Sequence, residues 1–328
     1  MAEAPARTWL VEEGIGETRA ILVENDQVIA ARLDRPGRLV SGQIEEATLI
    51  ARAKGATRGT VRFAGGEEAL VDGLEPSASE GAPLRVEVTR TAIAETGRLK
   101  RAQGRPTTKA VVTAPSLAQR LRREGAPVKV VTRFAEDPWP ELIAQALDGT
   151  FPFAGGALLV TPTPAMTLID IDGTLPPRAL ALAAIPPIAA AVGLLDLGGS
   201  IGIDFPSLER REDRRAVDEA LAAALAHWPH QRTAMNGFGF VQLVARLERP
   251  SLIQTLRQDP ALAGALLLLR QATFVAAPGR LLLTAHPRVC ATAAQHEAEL
   301  MRRSGRTVIW QEDSTLALTG GFAQAIAA

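Results

Sequence analysis

Leu168-Ile169-Asp170-Ile171-Asp172-Gly173 and Ser200-Ile201-Gly202-Ile203-Asp204-Phe205 are two short apolar runs, each ending in a carboxylate. Their length and branched side chains predict strands packed in a core. An acid at the end of a buried strand is costly unless something pairs with it. Two such acids on neighbouring strands predict a divalent cation, and magnesium keeps water ligands free for phosphate groups. These runs therefore point to an α/β fold with phosphate chemistry at the strand ends.

Working outward, Gly155-Gly156-Ala-Leu-Leu-Val160 and Ala165–Asp170 read as a strand pair. A helix near 187–195 leads through Asp196-Leu-Gly198-Gly199 to the strand ending at Asp204. Ser207 to Trp228 reads as a long helix, charged in its first half, and Gly239–Leu247 as a further strand. Beyond Pro250 the pattern predicts helix Ala261–Ala272, strand Arg280–Ala285, helix Pro287–Ser304 and strand Thr307–Gln311.

Toward the N-terminus, residues 17–34 read as a β-hairpin turning at Asn25 and Asp26. Five short segments follow at strand spacing: Gly42–Ala47, Leu49–Ala53, Gly59–Phe63, Ala69–Val71 and Leu84–Thr89. Glycines and prolines punctuate them, which fits a small five-stranded barrel of the OB type. Phe63 is the main aromatic of this region. The barrel's exit, Arg90 through Arg98, Lys100 and Arg101, is basic. Residues 103–115 read as a connector, Ser116 as the cap of a short helix, Val128–Phe134 as a strand and Asp137–Leu147 as a helix.

A chain of 328 residues with 47% apolar content predicts several subdomains with large cores. Lys plus Arg equals Asp plus Glu at 36 each, so net charge gives no whole-protein argument for a polyanionic partner. The four lysines (Lys54, Lys100, Lys109, Lys129) all precede residue 130, and the other 32 basic residues are arginine. Arginine suits bidentate phosphate contacts; a GC-rich genome also raises arginine and alanine. Cys290 is the only cysteine, which excludes an intramolecular disulfide and a multi-cysteine zinc site. Residues 1–7 form no apolar leader, and the apolar stretch Ala179–Leu195 is interrupted by Pro186-Pro187. The expected location is cytoplasmic.

Asp170, Asp172 and Asp204 are the candidate catalytic residues, with Asp170 and Asp204 as metal ligands for Mg2+. Strand-end acids also cap turns, so the pattern alone leaves both readings open. Asp170-Ile-Asp172-Gly173-Thr174-Leu175 also resembles the first motif of haloacid-dehalogenase-type phosphatases, but no lysine follows Lys129 to hold a phosphoryl group. Arg211, Arg214 and Arg215 read either as a solvated helix face with acidic neighbours or as RNA phosphate contacts. The four histidines show no repeated metal spacing, and Cys290 reads as a core residue.

Taken in order, Gly155-Gly156, Ile169-Asp170-Ile171-Asp172, Asp196-Leu-Gly-Gly199, Ile203-Asp204-Phe205, Arg214-Arg215-Ala216-Val217, Phe238-Gly239 and Arg249-Pro250-Ser251-Leu252 resemble the catalytic region of ribonuclease E/G. The resemblance extends to the N-terminal hairpin and is collinear over the barrel and tail. It implies an OB-fold barrel inserted in an RNase H-like portion, followed by a DNase I-like catalytic α/β portion and a small α/β tail. The implied segments are 1–35 (hairpin of the RNase H-like portion), 36–103 (RNA-binding barrel), 104–154 (remainder of the RNase H-like portion), 155–252 (metal-binding catalytic domain) and 253–328 (tail).

By this resemblance the chain is a magnesium-dependent endoribonuclease cutting single-stranded RNA. Asp170 and Asp204 match the family's metal-binding aspartates, and Asp172 stands where the family has an asparagine that orients the first. Arg90, Arg98 and Lys100 would contact RNA at the barrel, with Arg211, Arg214 and Arg215 at the catalytic portion. The family's paired cysteines are missing, so no zinc link joins protomers. Ala181 stands in place of an expected asparagine, and Gly237 where an arginine often precedes Phe-Gly. The apolar stretch 180–195 is a candidate contact for a homodimer or another protein. A second hypothesis is a catalytically weak RNA-binding or interaction protein derived from this family.

Overall fold

The computed structural model describes residues 7–95 and 98–327. Residues 1–6, part of the segment expected to form no leader, lie outside this description, as do Thr96 and Gly97 at the barrel exit. The chain is a mixed α/β protein of two compact units. One comprises Met1–Pro36, Pro127–Asp148 and Thr255–Ala328, the other Gly37–Ala126 and Gly149–Gln254. Most of the segment from 253 onward therefore packs in the same unit as the N-terminal hairpin.

The second unit contains a closed five-stranded barrel. Its strands are Ile44–Arg52, Arg58–Phe63, Glu68–Asp72, Pro83–Arg90 and Ala102–Pro106. Successive strands pair antiparallel except where Ala102–Pro106 closes the barrel, parallel to Glu68–Asp72 and antiparallel to Pro83–Arg90. Two expectations change here. Gly42–Ala47 and Leu49–Ala53 merge into one strand with a register shift between Leu49 and Ala51. Residues 103–115 are not only a connector, because they begin with the closing strand. The core is aliphatic, with Leu49, Val61, Val71, Val86 and Val88 buried. Phe63 is 3% exposed in that core, so the barrel's main aromatic offers no ring to a ligand. Helix Leu117–Arg123 starts at Ser116 as expected, with a reciprocal pair of bonds between Ser116 and Gln119.

The same unit holds a six-stranded sheet. Its order is Thr150–Phe153, Gly156–Pro162, Thr167–Gly173, Gly199–Asp204, Phe240–Ala245 and His230–Arg232. Only Thr167–Gly173 and Gly199–Asp204 pair in parallel. A parallel pair needs a crossover, which helices Pro177–Ala183 and Ile185–Leu194 supply. These replace the single helix expected near 187–195; they meet at Ala184, and the second starts on Pro186-Pro187, where proline is tolerated because the first helical N–H groups are unpaired anyway. By length and composition alone, Pro177–Leu194 is apolar enough to cross a membrane. Here its inward side chains Leu180, Ile185, Ile188 and Val192 are buried. The helix expected over Ser207–Trp228 is shorter, Arg211–Ala224, and buries Val217 and Leu221. Against these helices the sheet buries Leu158, Val160, Ile169, Ile171, Ile201, Ile203, Val241 and Leu243. Each such side chain contributes about 1.5–3 kcal/mol.

In the first unit, strands Arg7–Glu13, Thr18–Glu24 and Gln27–Asp34 form an antiparallel sheet that Val128–Val131 extends in parallel. The hairpin turn falls at Asn25 and Asp26, both with positive φ (48° and 60°), as the two-residue turn requires. A second sheet orders Val308–Glu312, Arg280–Ala285 and Phe322–Ile326. Helix Pro260–Thr273 packs its leucines with Leu281, Leu283, Val289 and Leu300. The helix expected over Pro287–Ser304 is divided into Pro287–Ala293 and Glu297–Ser304 by a tight turn at Ala294–His296. Arg270 is buried at one end, bonded to both oxygens of Glu12 and to Asp137.

Candidate functional site

The strand Thr167–Gly173 alternates strictly. Thr167, Ile169 and Ile171 point into the core, and Leu168, Asp170 and Asp172 face solvent. This follows from the two-residue period of a strand with one buried face. Asp204 closes the neighbouring strand and is also exposed. The register pairs Asp170 with Asp204 and Leu168 with Gly202. Adjacent strands lie about 4.8 Å apart, so the two carboxylates stand side by side on the face away from the helices.

This arrangement changes one premise. The acids are not buried, so desolvation does not demand a partner for them. Two like charges in direct register remain, and such a pair is unfavourable on a sheet. Among the described residues no ion pair joins Asp170, Asp172 or Asp204 to a basic side chain, and the Ile171 N–H donates to Asp170 Oδ1 at 3.0 Å. Also among the described residues, no three His, Cys, Asp or Glu side chains converge as a metal cluster. Two adjacent carboxylates still fit magnesium, which binds through one or two carboxylates and keeps several waters.

The floor beside the acids is apolar. Asp204 is opposite Phe240 and Gly202 opposite Gln242 on the antiparallel strand. A Cβ at Gly202 would lie 2.5 Å from Phe240 Cζ and 3.0 Å from Leu168 Cδ2, so only glycine lets these two side chains meet there. The loop entering that strand is tightly held. Asn236 Oδ1 accepts the N–H groups of Phe238 (2.9 Å) and Phe240 (3.0 Å). Gly239 has φ +90°, a position where a Cβ would lie 2.6 Å from Phe205 O. The Phe205 N–H donates to Gly239 O at 3.2 Å. Phe238 is 85% exposed at the tip of this loop. Phe238-Gly239 carries no sign of that exposure in the sequence, because it depends on the fold around it.

The basic candidates are largely tied down. Arg98 Nε and Lys100 Nζ donate to the two oxygens of Glu95 at 2.5 and 2.8 Å. Burial opposes ionisation of Glu95, yet these bonds hold its carboxyl below the usual glutamate range. Arg90 Nη2 donates to Arg101 O at 2.7 Å, and burial lowers its pKa from the usual arginine value. Across the barrel, Arg58 pairs with Asp72, Arg62 with Glu68, and Arg105 and Lys109 with Glu87. On helix Arg211–Ala224, Arg214 donates to Leu208 O and Glu209 O, and Arg215 pairs with Glu219 at 2.7 Å. Arg211 is exposed.

Two motifs read separately in the sequence are partners. Arg249 Nε donates to Asp196 Oδ2 at 2.6 Å, and the Leu252 N–H donates to Leu195 O at 2.9 Å. Asp196-Leu-Gly-Gly199 and Arg249-Pro250-Ser251-Leu252 thus fix each other at the start of the strand that ends in Asp204. Two of the four histidines have local roles: His230 stacks on Trp228 at 5.0 Å between ring centres, and His286 caps helix Pro287–Ala293. Cys290 is buried, as expected of a core residue. No protein-family model matches the chain, and no curated protein matches it.

Proposed function

We propose that the chain is a divalent-cation-dependent endoribonuclease acting on single-stranded RNA. The observation that carries this is the register of Asp170 with Asp204, two unpaired carboxylates side by side on an open sheet face. The resemblance to ribonuclease E/G supports it, since the same two residues match that family's metal ligands. In this reading the barrel is of the OB type, inserted in an RNase H-like portion, and the six-stranded sheet is the DNase I-like catalytic portion. The barrel order, with its first and last closing contacts made by Ala102–Pro106, supports the OB reading.

Asp170 and Asp204 hold the cation, Mg2+ by their all-oxygen chemistry. Bound there, it lowers the pKa of a water and neutralises charge on the phosphodiester. Asp172, on the same strand face, orients Asp170 or adds a ligand. Asp196 and Arg249 hold the backbone at the start of the strand that ends in Asp204. Arg211, exposed on the first turn of helix Arg211–Ala224, is the basic side chain of the catalytic portion that would meet an RNA phosphate.

The test is cleavage of an end-labelled A/U-rich single-stranded RNA with magnesium or EDTA. Internal cuts by the wild type that vanish in EDTA and in Asp204→Asn are the expected result. Wild-type cutting by Asp204→Asn rejects the assignment. A second reading, a catalytically weak RNA-binding or interaction protein, is favoured by Ala181 and Gly237, which stand where the family carries asparagine and arginine. Binding without magnesium-dependent cutting would select it.

A further inference from the structure

An aromatic ring exposed beside a candidate phosphate site offers a face on which a base can stack. Phe238 is 85% exposed, more than any other large apolar side chain among the described residues. Its loop is not loose. Asn236 accepts two backbone N–H groups with one side-chain oxygen, and the Gly239 N–H donates to Asn236 O at 3.2 Å. The loop is also joined to the acid site. Phe205, next to Asp204, donates its N–H to Gly239, next to Phe238. The ring is therefore presented at the end of the sheet where Asp204 stands, beside a floor made by Phe240 and Leu168 over Gly202.

We infer that Phe238 is a stacking platform for a nucleobase flanking the phosphodiester held at Asp170 and Asp204. This deepens the single-stranded RNA reading and rests on it. The chemistry matches what the barrel lacks. Its one main aromatic, Phe63, is buried, and Arg58, Arg62 and Arg105 on its strands are paired with acids. Grip on a single strand needs a π-face, and stacking tolerates any base. A preorganised ring beside the acids supplies that face and sets the position of the neighbouring phosphate.

The experiment measures binding of a fluorescein-labelled A/U-rich RNA by anisotropy in EDTA, which prevents cutting. Wild type is compared with Phe238→Ala, Phe238→Leu and Phe238→Trp. A companion RNA carries 2-aminopurine, whose fluorescence reports stacking. Phe238→Ala and Phe238→Leu should weaken binding about tenfold, and Phe238→Trp should restore it. The 2-aminopurine quench should vanish in the alanine variant. The salt dependence should not change, because stacking releases no counterions. Melting temperature should also hold, since the ring is exposed.

Equal affinity of wild type and Phe238→Ala overturns the platform while leaving the nuclease reading intact. Wild-type affinity in Phe238→Leu overturns stacking and leaves a simple apolar contact. Unchanged RNA binding with a shift from dimer to monomer in Phe238→Ala, seen by light scattering, overturns it in favour of a protein interface. Absence of RNA binding by the wild type overturns both the platform and the RNA reading beneath it.

Discussion

Asp172 faces solvent two residues beyond Asp170, where the ribonuclease E/G resemblance places an asparagine. Asp172→Asn should therefore leave RNA cleavage within about threefold of wild type, because the amide keeps the shape and one acceptor oxygen of the carboxylate. A phosphatase of the haloacid-dehalogenase type would instead lose its general acid. Measuring both RNA cleavage and phosphomonoester hydrolysis in this variant separates the two chemistries. Asp170 and Asp204 were legible in the sequence because each ends an apolar run. Their exposure was not, since a run such as Leu-Ile-Asp-Ile-Asp shows alternation only once the buried face is known. Phe238 was legible as a motif member only. Nothing in Asn-Gly-Phe-Gly says whether a ring is inside or outside.

Elements with internal signals are legible in the sequence, and elements defined by a neighbour are not. Arg280–Ala285 and the hairpin carry their own apolar pattern and turn residues. Thr150–Phe153, His230–Arg232 and Phe322–Ile326 are edge strands, short and lightly buried, whose pairing comes from the adjacent strand. Ala102–Pro106 contains Gly104 and Pro106, which argue against a strand locally, yet the barrel cannot close without it. Capping is the element-level term most directly testable. Ser116→Ala should cost about 1 kcal/mol, read from urea unfolding, because the Gln119 N–H loses its acceptor. Helix Glu297–Ser304 carries the clearest pH term. Hydrogen bonds from Arg302 and then Arg303 pull Glu299 down to about 2. Its contribution is complete above the ordinary glutamate range and is lost as pH falls through about 2. Glu299→Gln should flatten that acid limb of the melting curve, and high salt should do the same, because the cluster is exposed.

At the scale of the molecule, Arg270 joins parts of the chain far apart in sequence. It binds Glu12 and Asp137 and lies over the rings of Phe134 and Phe274. Replacing it with methionine leaves two acids without their cation, so Arg270→Met should destabilise the first unit by about 3–5 kcal/mol in denaturant titration. The additional replacement of Glu12 by glutamine should recover part of that loss. The sequence could not show this pairing, because contacts across 258 positions have no local signature. That span also fixes an order of events on the ribosome. The strand bearing Glu12 is made first, and its arginine arrives only after more than two hundred further residues. Barrel and acid-bearing sheet are complete by then and can fold as they emerge. The first strands must wait, part-assembled, for a C-terminal segment that has not been translated. A nascent chain halted before residue 255 should thus protect its barrel from protease while its N-terminal hairpin stays open to cleavage.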